Sequence, residues 1–197
     1  SEENLVKVER AADRILAETG IEFRDDPVAL DLWKRAGAKV DGVLVKFEPG
    51  MLREILRSAP SEFTQHARNP ANSVRIGGKN VVFAPAYGSP FVMDLDRGRR
   101  FGTLEDFRNF VMLAQSCPNF HHSGGTICEP TDIPVNKRHL DMVAAHLTLS
   151  DRCYMGSVTS ESLAEDSIEM SRIAFGRAFV DQNCVILGNV NVNSPLL

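Results

Sequence analysis

Three apolar runs that begin at residues 120, 153 and 184 lie 33 and 31 residues apart, and each gap holds one amphipathic helical pattern. A strand, a helix and a second strand in that span make a βα unit, and successive units of this kind build a parallel sheet with right-handed crossovers. The periodicity predicts strands at 120–127, 153–158 and 184–193 and helices at about 137–150 and 162–176. The first of these helices would bury Leu140, Val143, Ala144 and Leu147, and the second would open at Ser162-Leu-Ala-Glu165. Thr103-Leu-Glu-Asp106 is a capping box that opens another helix, with Leu104, Phe107, Phe110, Val111 and Ala114 as its buried stripe. Val81–Ala84 adds a candidate strand before it. The pattern then ends at Ser194-Pro-Leu-Leu, with about half of the roughly 250 residues that a closed eight-stranded barrel needs. The expected fold class is therefore α/β: the first half of a (β/α)8 barrel over residues 81–197, preceded by a small α+β region over residues 1–80.

That N-terminal region reads as a helix from Glu3 to Thr19, with Leu5, Val8, Ala12, Ile15 and Leu16 on one face and Gly20 as its stop. Asp26-Pro27 opens a second helix as N-cap and first-turn proline, ending at Gly37. Asp41-Gly42 marks a tight hairpin, a short helix runs from Met51 to the break at Pro60, and Gly77-Gly78 marks a second hairpin between 73–76 and 81–84.

Several classes of function are disfavoured. The 22 basic residues are scattered against 26 acidic ones, giving a net charge of −4, so neither a nucleic-acid stripe nor a polybasic membrane patch is present. No apolar run approaches the roughly 20 residues that span a bilayer. Cysteines 117, 128, 153 and 184 are far apart and form no C-x-x-C, which fits a reducing cytoplasm better than a disulfide scaffold. Phosphate-binding glycine loops, nucleophile elbows and H-E-x-x-H are missing from the sequence.

Candidate site residues come from strand ends. Asn189, Asn191 and Asn193 alternate with Val190 and Val192, so on a strand the amides share one face, at the mouth of a barrel, and the valines share the other. His121 and His122 would point to opposite faces, which disfavours a paired-histidine metal centre, and no spacing among Cys128, Glu129, Asp132 and His139 matches a metal pattern. No metal is expected. His122 and Glu129 are the candidate catalytic residues at the rim, and Tyr87, in the rigid segment Pro85-Ala-Tyr-Gly-Ser-Pro90, is a candidate contact for an ammonium group. Asp94-Leu-Asp96-Arg-Gly-Arg-Arg100 reads as a salt-linked turn or a docking rim.

Five strings in one order carry a resemblance: Ala12-Asp-Arg-Ile-Leu-Ala-Glu-Thr-Gly-Ile-Glu-Phe, Phe91-Val-Met-Asp-Leu-Asp-Arg-Gly-Arg-Arg, His121-His-Ser-Gly-Gly-Thr-Ile-Cys-Glu-Pro-Thr-Asp-Ile-Pro, Lys137-Arg-His-Leu-Asp-Met and Gly188-Asn-Val-Asn-Val-Asn-Ser-Pro-Leu. The chain resembles the N-terminal part of the trimethylamine methyltransferase family of corrinoid-dependent enzymes. That resemblance implies methyl transfer from a methylated amine, trimethylamine or a quaternary amine such as glycine betaine, to the Co(I) corrinoid (cobalamin) of a separate carrier protein. It also implies a barrel that continues beyond Leu197, so the fragment by itself is expected to be inactive. A homo-oligomer is expected because a half barrel leaves strand edges uncovered. The alternative is a non-catalytic module that recruits a corrinoid protein or a partner half-barrel.

Overall fold

Glu2 and Glu3 sit in the first turn of the first helix, where the helix dipole favours negative charge, and α1 runs Glu2–Glu18. β1 (Ile21–Glu22) follows, and the Asp26 carboxylate then accepts the Ala29 N–H at 2.9 Å to open α2 (Pro27–Ala36). β2 (Lys39–Asp41) and β3 (Leu44–Lys46) form the expected hairpin, and α3 spans Met51–Leu56. β3 lies between β1 and β2, antiparallel to both. Val45 and Phe47 are buried, and Trp33 packs edge-on against Phe47 with ring centroids 4.9 Å apart. The expected burial of the α1 stripe is not realised: Leu5 is 67% and Val8 66% exposed. Strands of two and three residues offer too little surface to cover two amphipathic helices.

This computed structural model describes residues 1–190, in two compact units, Ser1–Pro60 and Ser61–Val190. The division between these units falls after Pro60. The second unit opens with β4 (Glu62–Gln65), which pairs antiparallel with β5 (Val74–Gly77), in place of the hairpin expected between 73–76 and 81–84. Gly77 opens a turn in which the Asn80 N–H donates to its carbonyl at 3.1 Å, and it also permits a close approach, since a Cβ there would lie 2.1 Å from the Ser61 carbonyl oxygen. β6 (Phe91–Asp94) and β7 (Gly98–Phe101) form another hairpin, whose turn is held by Asp94 Oδ1 accepting the N–H groups of Asp96 and Arg97 at 3.1 and 2.6 Å.

The remaining elements are α4 (Leu104–Ser116), α5 (Arg138–Leu149), β8 (Tyr154–Met155), α6 (Glu161–Phe175), α7 (Arg177–Val180) and β9 (Ile186–Leu187); the longer helices stand near where the spacing predicts, but the strands expected at 81–84 and 120–127 are not formed and leave only isolated bridges. Thr103 and Asp106 make the reciprocal capping box of α4, whereas α6 starts from Ser160, not Ser162. β8 and β9 are parallel, with Tyr154 opposite Ile186, and His122 bridges Cys153 in the same sense. Upstream, Phe83 accepts the His121 N–H at 2.9 Å and Ser89 bridges Cys128, again in parallel. Segments 83–89, 121–128, 153–155 and 186–187 therefore lie side by side in sequence order, although the ladders are much shorter than expected. Pro85, Pro90, Gly124 and Gly125 interrupt the extended backbone that a ladder requires. Val92, Phe107, Val111, Cys128, Met142 and Ala145 form the main apolar cluster.

Candidate active site

Gln65 is wholly buried, and its Nε2 donates to the Tyr154 and Val185 carbonyls at 2.8 and 3.2 Å, tying β4 to the backbone at β8 and just before β9. Its Oε1 faces His122 Nε2 at 3.2 Å, and His122 Nδ1 accepts the Gly124 N–H at 2.9 Å. Because an amide N–H only donates, the His122 proton sits on Nε2 and both ring nitrogens are used. His146 stands in the same layer with Nε2–H on the Gly125 carbonyl at 2.9 Å, while Nδ1 accepts from the Ser123 hydroxyl at 2.9 Å. Burial disfavours the charged imidazolium and pushes both histidines down to about 4. His122, expected at a solvent-facing rim, is instead 1% exposed and neutral at pH 7.

The polar side chains one step toward the strand ends are not closed off in this way. Tyr87 is half exposed, and its hydroxyl accepts a hydrogen bond from Asn189 Nδ2. Two of the sequence-nominated residues, 102 positions apart, thus meet. Glu129 lies on the loop after the second segment, where its N–H donates to the Ser89 carbonyl at 2.9 Å and its carboxylate accepts from Arg138 Nη1 at 3.2 Å. Val190, expected against the helix layer, is 79% exposed. Asn191 and Asn193 lie outside the described residues. Gly156 follows β8, and a Cβ there would sit 2.5 Å from Ile186 Cδ1 and 2.8 Å from Ser167 Cβ, so only a bare Cα lets β9 and α6 close in.

Sequence reasoning missed Gln65, Ser123 and His146. α5 buries His139, Met142, Val143, Ala145 and His146, a face rotated from the expected Leu140, Val143, Ala144 and Leu147. The spacing of His139, Met142, Val143 and His146 at i, i+3, i+4 and i+7 was the available signal; it was obscured because histidine counts as polar until its partners are known. Cys128 and Cys153 offer no reactive thiolate, since burial pushes both up to about 11. Among the described residues no group of three or more potential metal ligands converges, and no helix is long and apolar enough to cross a membrane.

Comparison with known proteins adds what the geometry alone does not. The model of the family described as trimethylamine methyltransferase (MTTB) matches residues 1–197. The chain belongs to the trimethylamine methyltransferase family. Within it, the chain is 44% identical over its whole length to a glycine betaine methyltransferase of Desulfitobacterium hafniense strain Y51, covering 41% of that protein. It is 26% identical to a proline betaine:corrinoid methyltransferase of Eubacterium limosum, over 93% of the chain and 39% of the relative. A trimethylamine methyltransferase, MttB, of Desulfitobacterium hafniense strain DSM 10664 / DCB-2 is 32% identical over 42% of the chain and 17% of its own length. The chain spans about two fifths of the length of the first two of these family members.

Proposed function

We propose that this chain is the N-terminal part of a methyltransferase that takes a methyl group from a quaternary ammonium zwitterion of the glycine betaine class and passes it to the corrinoid of a separate carrier protein. The observation that carries this reading is the 44% identity to a glycine betaine methyltransferase over all 197 residues, against a match to the trimethylamine enzyme over only 42% of the chain. The parallel order of the four segments supports the barrel reading, in which residues 81–197 supply the first half and a further strand pairs with the edge of β9 that has no partner among the described residues. The Tyr87–Asn189 hydrogen bond supports it as well. In a flat sheet the first and fourth segments would lie about 14 Å apart, three strand spacings, so side chains that touch across that interval favour a curled layer.

The side chains present fit a nucleophile brought from outside. Among the described residues the Ser123 hydroxyl is held by His146, and Cys128 and Cys153 are buried with raised pKa values. A Co(I) corrinoid, when docked at the mouth, supplies the nucleophile that accepts the methyl group. The chain's own contribution is to bind and orient. The Tyr87 ring offers its face to the ammonium, an attraction of about 0.5–2 kcal/mol, and Asn189 holds that ring through its hydroxyl. Asn191 and Asn193, with Asn189, orient the polar tail of the substrate, and Glu129 stands at the rim. The leaving group is a neutral tertiary amine that needs no proton, which agrees with His122 being neutral and spent on the strand layer.

The full-length protein, given glycine betaine, proline betaine or trimethylamine with free cob(I)alamin as acceptor, tests this directly. Methylcobalamin formation is expected from a betaine and not from trimethylamine. Formation from trimethylamine alone, or from none of the three, overturns the reading.

A further inference from the structure

The charged string Asp94–Arg100 folds into a hairpin whose two faces are exchanged relative to an ordinary surface ladder. The register sets Phe91 opposite Phe101 and Met93 opposite Arg99 on one face of β6–β7, and Val92 opposite Arg100 on the other. The inward face carries the ion pairs: Val92 joins the main apolar cluster, while Arg100 forks onto Asp106 and Asp94. The outward face is the apolar one. Met93 is 79% and Phe101 58% exposed, and Leu95 at the tip is fully exposed. The Phe91 and Phe101 rings lie 4.8 Å apart, and the Arg99 guanidinium stacks over Phe91 at 3.8 Å from the ring centre. Arg97 and Arg100 pair with Asp94 and Asp106, so among the described residues Arg99 is the one cation of the hairpin without a carboxylate.

The hairpin links segment 83–89 to α4, so it leaves the parallel layer at the end where Tyr87, Glu129 and Asn189 lie. Its base is fastened to that rim. The Gly102 N–H donates to the Pro90 carbonyl at 3.1 Å, the Gly102 carbonyl accepts the Thr131 N–H at 2.9 Å, and the Ser89 carbonyl accepts the Glu129 N–H at 2.9 Å. Small ligands are held in concavities, whereas this face protrudes. Aromatic, methionine and arginine side chains are the ones that concentrate at the centre of protein–protein interfaces. Because the inward ion pairs already fix the hairpin, little further ordering is needed when a partner arrives. A single unpaired cation is too few for an anionic bilayer surface, which clusters of basic residues hold.

We propose that the outward face of β6–β7 is the docking surface for the corrinoid carrier protein, with Met93, Leu95 and Phe101 seated on apolar side chains of the carrier and Arg99 on one of its carboxylates. This rests on the reaction proposed above, since a corrinoid held by another protein reaches Tyr87 and Asn189 only when that protein settles over this rim. What it adds is the set of residues by which the chain recognises the carrier.

Calorimetric titration of the full-length protein with the corrinoid carrier protein of the same organism tests the surface without relying on methyl transfer, and transfer to free cob(I)alamin is the control. Met93→Ser combined with Leu95→Ser is expected to weaken carrier binding about 10- to 100-fold. Arg99→Glu should weaken it about 10-fold at low salt, with the difference narrowing as salt rises. Transfer to free cob(I)alamin and the melting temperature should stay at the parent values, because these side chains project into solvent. Carrier binding as tight as the parent's in both variants overturns the proposal. So does a melting temperature lowered by several degrees, which would show that the chain itself covers this face in the full-length protein. Self-association in sedimentation, or binding to phosphatidylcholine–phosphatidylserine vesicles, that the substitutions abolish while carrier binding persists would assign the face to a second copy or to lipid instead. The two readings fail separately: transfer to free cob(I)alamin with carrier binding indifferent to the substitutions sinks only the docking surface, and substitution-sensitive carrier binding without methyl transfer sinks only the reaction.

Discussion

Two neighbouring levels of the second unit have similar ingredients and opposite bookkeeping. At the lower one, Gln65, His122, Ser123 and His146 are buried and the polar atoms of both imidazoles are paired with backbone or with one another. At the upper one, Tyr87 and Glu129 are half exposed and Asn189 is exposed. A polar group whose partners are all internal specifies the fold, whereas one that solvent reaches is available to a ligand. The same residue types therefore do different work a few residues apart, and the histidine that looked catalytic in the sequence belongs to the first kind.

The largest expected effect is at the lower level. Gln65→Leu keeps the volume but strands two carbonyls and the His122 Nε2–H, so it should cost about 3–5 kcal/mol, read by urea denaturation. A loss below about 1 kcal/mol would show that water replaces the amide and that this level is not closed.

Next is the pH dependence. The folded histidines 122 and 146 titrate near 4, below the ordinary value of about 6.5, so between these values the unfolded chain binds more protons. Their contribution is present in full above about pH 6.5 and is lost as pH falls toward 4, up to about 3 kcal/mol for each. Melting temperatures measured from pH 7 to pH 4 should decline across that window, and His146→Gln should flatten the decline. A flat profile in the parent protein would mean that water already reaches both rings.

How far the sequence reveals these two levels depends on how local the signals are. Thr103 with Asp106, and Asp26 with Pro27, are capping signals complete within four residues, so α4 and α2 were legible. The order of the parallel segments followed from helix-length spacing. Gly77-Gly78 was misread because the partner of β5 lies upstream at Glu62–Gln65, a pairing that no turn signal advertises. The β6–β7 hairpin was hidden inside a charge cluster, where Arg100 forks onto Asp106 and Asp94 with Nη2 at 2.7 and 3.1 Å. Tyr87 and Asn189 could be nominated from strand-end position and alternation. Gln65 could not, since its significance lies in which distant atoms it meets, and His146 was signalled only by helical spacing.

Smaller effects are expected at the upper level. Tyr87→Ala, Asn189→Ala, Asn191→Ala and Asn193→Ala in the full-length protein should each raise KM for a betaine about 2- to 30-fold, with melting changed by no more than about 0.5 kcal/mol. Steady-state kinetics alongside thermal melting separates the two readouts. A collapse in melting with unchanged KM would move that residue to the structural level. Smaller still is the effect of Leu95→Ser at the fully exposed tip of the β6–β7 hairpin, which should leave both readouts unchanged unless copies of the chain associate through it, as sedimentation would reveal.

The contrast between the levels is tested most directly by one thermal-shift series on the full-length protein, with and without saturating glycine betaine. A ligand at about 100 times its Kd adds about 2.7 kcal/mol to stability, enough to raise the melting temperature by several degrees. The expected result is a Gln65→Leu protein that melts much lower but keeps the ligand-induced rise, and a Tyr87→Ala protein that melts near the parent value but has a smaller rise. The reverse pattern, with the rise lost in Gln65→Leu and kept in full in Tyr87→Ala, would contradict the division into a structural level and a ligand-binding one.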